Sequence, residues 1–252
     1  MKEMDNKNKA SIIVTTYLAI YFLGAVFITL IFSSFCRAFN LQLSELEMNS
    51  YINLIVYLVL FGALLYITFN DLKGDFNTLK EKKGNLLYTF FASYGIFYVI
   101  NLATSLLISN IDMYASMMSD FFNMPNTLEI TSDNQSYIQE ILQSKSAWAM
   151  ILAAGFIGPI CEEIVFRHAI FKACKTKEMG IIISSLVFGM IHVISSLGMY
   201  NGISIILMTI PYVISGMALS IVYVKNDCNI WVPTIVHMLS NIISILGILA
   251  LY

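Results

Sequence analysis

The chain has 252 residues, 58% of them hydrophobic and only 12% charged, with a formal net charge of −2. Soluble domains carry about twice that charged fraction, so a water-soluble globular protein is excluded, and the near-neutral balance gives no footing for a nucleic-acid partner. The four cysteines, Cys36, Cys161, Cys174 and Cys228, have no paired spacing and imply neither a zinc knuckle nor a disulfide framework.

A helix needs about 20 apolar residues to cross a bilayer core. The first such run, 11–35, is too long for the apolar region of a signal peptide and lacks a small-residue cleavage site, so it reads as a retained helix. Runs at 51–70 and 86–109 follow. The polar interval 110–145, with Asp112, Asp120, Glu129, Asp133 and Glu140, reads as an acidic loop. Four more runs close the chain, at 146–171, 179–198, 202–224 and 230–251. The expected fold is all-α, a polytopic transmembrane helical bundle of about seven spans in a lipid bilayer. The third and sixth runs are interrupted by polar or Gly/Pro residues, which makes one of them a candidate broken helix. Pro159, after Gly155 and Gly158, predicts a kink. Trp148 and Trp231 stand at span ends, where interfacial anchors belong.

Lysine bias sets the expected orientation. With the N-terminus in the cytoplasm, Lys2, Lys7, Lys9, Lys73, Lys80, Lys82, Lys83, Lys172, Lys175, Lys177 and Lys225 all fall inside. Only Arg37 and Lys145 fall outside, and Arg167 lies within a span. The first three spans have no charge at their centres. Residues 1–145 therefore read as an N-terminal three-span scaffold with an external loop.

The chemistry concentrates in 146–252. The fourth run ends GFIGPICEEIVFRHAIF. Charges at membrane depth are costly unless paired or facing water. Glu163 and Arg167, four apart, share a helix face and can pair. Glu162 points about 100° away and is the carboxylate left free. The fifth run carries VFGMIHV, with His192 near the middle of the expected span and Phe188 one turn earlier. The seventh carries VPTIVHMLSN, placing His237 and Asn241 on one face. Counted from the polar flanks, Glu162, His192 and His237 reach similar depths. A lone membrane histidine can be an ordinary interhelical hydrogen bonder, and Arg167 and His168 are near enough to the inner interface to snorkel. Two glutamates, two histidines and an asparagine at matched depth are harder to read as separate packing events.

These segments resemble the CPBP family, the CAAX-protease and bacteriocin-processing membrane proteins also called Abi, whose pattern is EExxxR, FxxxH and HxxxN or HxxxD on successive helices. EEIVFR, FGMIH and HMLSN match it in order, over about 146–245. The resemblance implies that 146–252 is a four-span catalytic core, an endopeptidase whose site opens toward the cytoplasm. It implies that Glu162 and His192 activate a water and that His237 and Asn241 stabilise the oxyanion. No cofactor is implied, although two histidines and a glutamate could make a three-ligand zinc site. The expected protein is a multi-pass cell-membrane protein, and its Ile-, Asn- and Lys-rich composition with this motif set points to a bacterium. Its substrate would be a peptide or a membrane-protein tail. Two other readings compete: a non-catalytic bacteriocin self-immunity or scaffold protein of the same family, and a transporter using the same buried groups. The lack of a repeated half weighs against transport.

Overall fold

In the computed structural model, residues 6–81, 84, 86–122 and 133–250 are described. Eight helices are found among them: α1 (6–38), α2 (Glu45–Glu81), α3 (Leu86–Phe122), α4 (Asp133–Leu142), α5 (Ala147–Phe171), α6 (Lys177–His192), α7 (Gly202–Lys225) and α8 (Trp231–Leu249). No strand occurs among these residues. Lipid offers no partner for a free backbone group, so apolar runs of this length close their hydrogen bonds internally as helices. Six of the helices (α1, α2, α3, α5, α7 and α8) are long and apolar enough to span a bilayer. The chain is a multi-pass helical membrane protein.

Four expectations change. The fifth run does not form a full span: α6 ends at His192, followed by a 3-10 turn at Ile194–Ser196 and by Gly198 in the left-handed region at φ +86°. At about 1.5 Å per residue, 16 residues rise only about 24 Å. The third and sixth runs are continuous helices, α7 with Pro211 inside it. Much of the expected loop is helical, since α3 runs on to Phe122 and α4 occupies Asp133–Leu142. Lys2, Lys82, Lys83 and Glu129 lie outside the described residues, as do the side chains of Asp120 and Asp133. At Gly158–Pro159, where a kink is expected, the winding of the helix changes. Ala153–Ile157 and Ile164–Phe171 are π-helical, on either side of an α-helical turn at Gly158–Glu163. Pro159 has no N–H to donate, and the wider π-turn before it absorbs the missing bond.

One end of the bundle gathers the lysine-bearing segments. There Trp231 Nε1 donates to the Leu72 carbonyl (2.9 Å) and Asn229 Nδ2 to the Asp75 carbonyl (2.6 Å). Asp71 bonds Lys9, and its Oδ2 lies 2.8 Å from His168 Nε2. His168 was expected to snorkel outward, but it is buried between Asp71 and Lys172. A continuous apolar core lies just above, with Leu72, Phe166, Phe171, Phe188 and Tyr223 all buried in it. The opposite end joins α2 to the start of α5, through Ser50 Oγ donating to the Ser146 carbonyl (3.2 Å) and Tyr51 packed on Trp148.

Helices α6 and α7 pack closest, because glycines let their backbones approach. A Cβ on Gly189 would stand 2.3 Å from Val213 Cγ2 and 3.0 Å from Val213 N. One on Gly216 would stand 3.2 Å from Ser185 Cα. Gly189→Ala should therefore destabilise the protein by about 1–3 kcal/mol through overpacking, lowering its melting temperature in detergent. Gly62→Ala, with nothing within 4 Å of the added carbon, should leave it unchanged.

Candidate active site

The short α-helical turn between the two π-segments of α5 presents Glu162 and Glu163 to different neighbours. Glu162 Oε2 faces two imidazoles, with His237 Nε2 at 3.8 Å and His192 Nε2 at 4.0 Å. The Tyr57 hydroxyl lies 3.5 Å from its other oxygen. The two carboxylate–imidazole separations exceed a direct hydrogen bond, and each suits a bridging water. His192 stands at the last residue of α6 rather than mid-span.

The remaining ring nitrogens fix the tautomers. His192 Nδ1 lies 2.7 Å from the Phe188 carbonyl. A carbonyl only accepts, so Nδ1 holds the proton and the Nε2 lone pair turns to Glu162. His237 Nδ1 lies 3.1 Å from Glu163 Oε1, and a carboxylate paired with arginine likewise accepts. Three acceptors (one carboxylate oxygen and two imidazole nitrogens) thus converge on one point, where a water molecule can donate to two of them at a time. Phe188 packs beside both rings, with centroids 4.4 Å from His192 and 5.8 Å from His237, and Tyr212 stacks on His192 at 4.7 Å.

Arg167 is wholly buried and joins three helices. Its Nε lies 3.1 Å from Glu163 Oε2, a charge contact without hydrogen-bond alignment. Its Nη1 donates to Ser184 Oγ (2.7 Å) on α6 and its Nη2 to the Gly216 carbonyl (3.3 Å) on α7. Glu163 then reaches His237 on α8.

Asn241 Nδ2 donates to the Ala154 carbonyl at 2.7 Å. The Gly158 N–H goes to Ala153, and Pro159 has none, so the Ala154 carbonyl has lost both its α-helical and its π-helical partner. Asn241 makes good that deficit with one of its two amide hydrogens, which ties α8 to the rewound turn of α5.

Among the described residues no group of three His, Cys, Asp or Glu side chains is placed to hold a metal ion. The spacing at Glu162 says why. Tetrahedral zinc with bonds of about 2.0–2.1 Å holds its ligand atoms about 3.3 Å apart, whereas Glu162 Oε2 stands 3.8 and 4.0 Å from the two nitrogens.

The site borders a cavity of about 820 Å³, within the roughly 300–1,000 Å³ typical of ligand pockets. Helices read as bare scaffold contribute to it, through Tyr17 and Tyr21 of α1, Asn53 and Tyr57 of α2, and Asn101 and Ser105 of α3. Reading charge alone missed them. The signal was available, since each pair is spaced i,i+4 on one helix face. Tyr137 of α4 lines the cavity as well, and burial pushes its phenol up to about 12, so it is a neutral donor at any working pH.

Comparison with known proteins follows this geometry. Residues 144–243 match the family described as type II CAAX prenyl endopeptidase Rce1-like. Over 184 residues the chain is 32% identical to an uncharacterized protein of Mycoplasma capricolum subsp. capricolum, covering 72% of this chain and 50% of that protein. Over 114 residues it is 30% identical to the Bacillus subtilis protein named "Putative membrane peptidase YdiL", covering 44% of this chain and 41% of that one. The chain thus spans about half the length, or less, of these curated relatives. No solved structure matches.

Removing one partner of a buried ion pair strands the other charge, at a cost of about 3–5 kcal/mol. Glu163→Gln should therefore lower folded yield and melting temperature well below those of Glu162→Gln, as read by fluorescence-detected size exclusion. Equal yields would count against this division of labour between the neighbouring glutamates.

Proposed function

We propose that this chain, whose residues 144–243 match the Rce1-like CAAX-protease family, is an intramembrane endopeptidase that hydrolyses a peptide bond with a water activated by Glu162 and His192. The observation that carries this reading is the convergence of Glu162 Oε2 with two imidazole Nε2 lone pairs, at 3.8 and 4.0 Å, beside a cavity large enough for a peptide segment. A carboxylate and an imidazole around one water are a general base and its orienting partner.

In the proposed reaction the water proton passes to Glu162 as the water oxygen bonds the scissile carbonyl carbon. The carbonyl oxygen becomes an oxyanion. His237, held by Glu163 through Nδ1, takes up a proton from solvent at Nε2 before the attack and then donates a hydrogen bond to that oxygen. The free N–H of the Asn241 amide is the second donor. The carbon–nitrogen bond then breaks and Glu162 returns its proton to the departing amine. Arg167 acts at one remove, as the counter-charge beside Glu163. The N-terminus is cytoplasmic in this reading, the host membrane is bacterial like those of the two named relatives, and the substrate is a peptide or a membrane-protein tail.

Comparative proteomics of membrane and secreted peptides, with wild type set against Glu162→Gln, is the direct test. Cleavage products present only with the wild type support the enzyme. An identical peptide set would favour the non-catalytic immunity or scaffold reading. Once a substrate is in hand, Glu162→Gln and His192→Ala should each abolish cleavage, and the double variant should be scarcely worse than either, because residues acting as a unit are non-additive. Asn241→Ala should retain a residual rate, reduced by about 10²–10³.

Metal dependence has its own test. Chelator should leave the purified protein active. Inactivation by chelator with rescue by zinc would move Glu162, His192 and His237 into ligand roles.

A further inference from the structure

Glu162 faces the two imidazoles through one oxygen only. Its Oε2 lies 3.8 Å from His237 Nε2 and 4.0 Å from His192 Nε2, while Oε1 turns toward α2. Something has to hold that division. The last torsion of a glutamate is broad and roughly two-fold, so rotamer preference does not fix the carboxylate plane. Arg167 does not fix it either, because its guanidinium goes to Glu163, Ser184 and Gly216. Among the described residues one side chain donates a hydrogen bond to Glu162, the Tyr57 hydroxyl at 3.5 Å from Oε1.

Tyr57 is held in place from several directions. Its helix, α2, is tied to the bundle on both sides of it. Ser50 donates to the Ser146 carbonyl toward one end, and toward the other the Leu72 and Asp75 carbonyls accept from Trp231 and Asn229. Leu60 and Leu64, one and two turns further on, are fully enclosed. The ring itself lies along the α-helical turn Gly158–Glu163. A Cβ on Gly158 would stand 3.5 Å from Tyr57 Cε1 and 3.6 Å from Cζ, the carbon that bears the hydroxyl. Gly158 and Glu162 are four apart, so ring and hydroxyl together span one face of that turn.

We propose that Tyr57 is a positioning residue of this site: its phenol donates to Glu162 Oε1 and so turns Oε2 toward the water shared with His192. The consequence for rate rests on the peptidase reading; the bond to Glu162 does not. Tyr57 lies outside residues 144–243, so a side chain from the N-terminal helices completes the segment that matches the family. A phenol donates one hydrogen and brings no charge. It anchors the carboxylate without neutralising it, as a lysine or arginine in the same place would. The 3.5 Å separation is longer than a settled O–H···O bond, and catalytic hydrogen bonds that are long in a substrate-free site tighten in the complex.

Tyr57→Phe keeps the ring, its packing on Gly158 and its ring current, and removes only the hydroxyl. Two measurements on the full-length protein in detergent test the proposal. The first is nuclear magnetic resonance and needs no substrate. With glutamate labelled at its side-chain carboxyl carbon, the Glu162 resonance is the one missing from Glu162→Gln. It should move in Tyr57→Phe and stay in place in Tyr66→Phe, a control on the same helix at a residue that is 89% exposed. The second uses a synthetic peptide spanning the junction of a cleavage product that only wild-type cells release. Tyr57→Phe should lower kcat by about 10- to 100-fold, the contribution of a hydrogen bond to a charged group, with KM and folded yield unchanged. An unmoved resonance would overturn the proposal whatever the rate. A moved resonance with wild-type kcat would overturn the positioning role, and so would a rise in KM at unchanged kcat, which would place the hydroxyl on the substrate instead. If wild-type cells release no product, the peptidase reading falls, and the resonance alone decides whether Tyr57 holds Glu162.

Discussion

A guanidinium buried in a membrane protein has to be answered from several directions, and that requirement organises the second half of this chain. Arg167 cannot shed its charge as a lysine could, and it has no contact with solvent. Glu163 supplies the counter-charge from the same helix, Ser184 an acceptor on α6 and Gly216 a carbonyl on α7. Glu163 in turn accepts from His237 on α8. A single charge thereby sets the mutual placement of four helices, and each helix carries or borders a group facing Glu162. Buried ion pairs are weak contributors to net stability but costly to break. Here that asymmetry ties correct packing to correct assembly of the site.

The rewinding of α5 is a second constraint of the same kind. Pro159 removes a backbone donor three residues before Glu162, and the π-turn at Ala153–Ile157 accommodates the loss. That leaves the Ala154 carbonyl in need of a donor, which Asn241 provides from α8. The asparagine of HMLSN therefore has a structural task whatever else it does. A loss of activity in an Asn241 variant has to be separated from loss of the α5–α8 tie by measuring stability alongside rate.

Charge and periodicity made much of this arrangement legible. Run length gave the helical membrane fold, and the i,i+4 spacings of Glu163 with Arg167 and of His237 with Asn241 gave shared faces. Uncharged polar faces on the first three spans are not legible from depth and charge. Tyr17 with Tyr21 and Asn53 with Tyr57 carry no penalty large enough to stand out from an apolar run, yet they border the same cavity as Glu162. The burial of His168 was illegible for a different reason. Its partner, Asp71, is 97 residues away on α2, and no local pattern announces a pairing at that separation.

The shortness of α6 was the least legible feature, and the cavity depends on it. Nothing in the apolar run 179–198 marks His192 as a last helical residue, since Val193 and Ile194 continue the hydrophobic character. The helix stops because the chain turns through Ile194–Ser196 into Gly198, which adopts a positive φ that other residues resist. A full-length span would have filled the space above His192 with another two turns of side chains. Ending there, α6 leaves the half of the bundle beyond His192 with a turn in place of a helix, and Ile194 and Ser195 become cavity walls. Hydrolysis inside a membrane needs water and peptide brought to a carboxylate that must otherwise stay out of solvent. In the proposed reaction the incomplete span would provide that route, on the face away from the aromatic core and the Asp71 and Asp75 bonds.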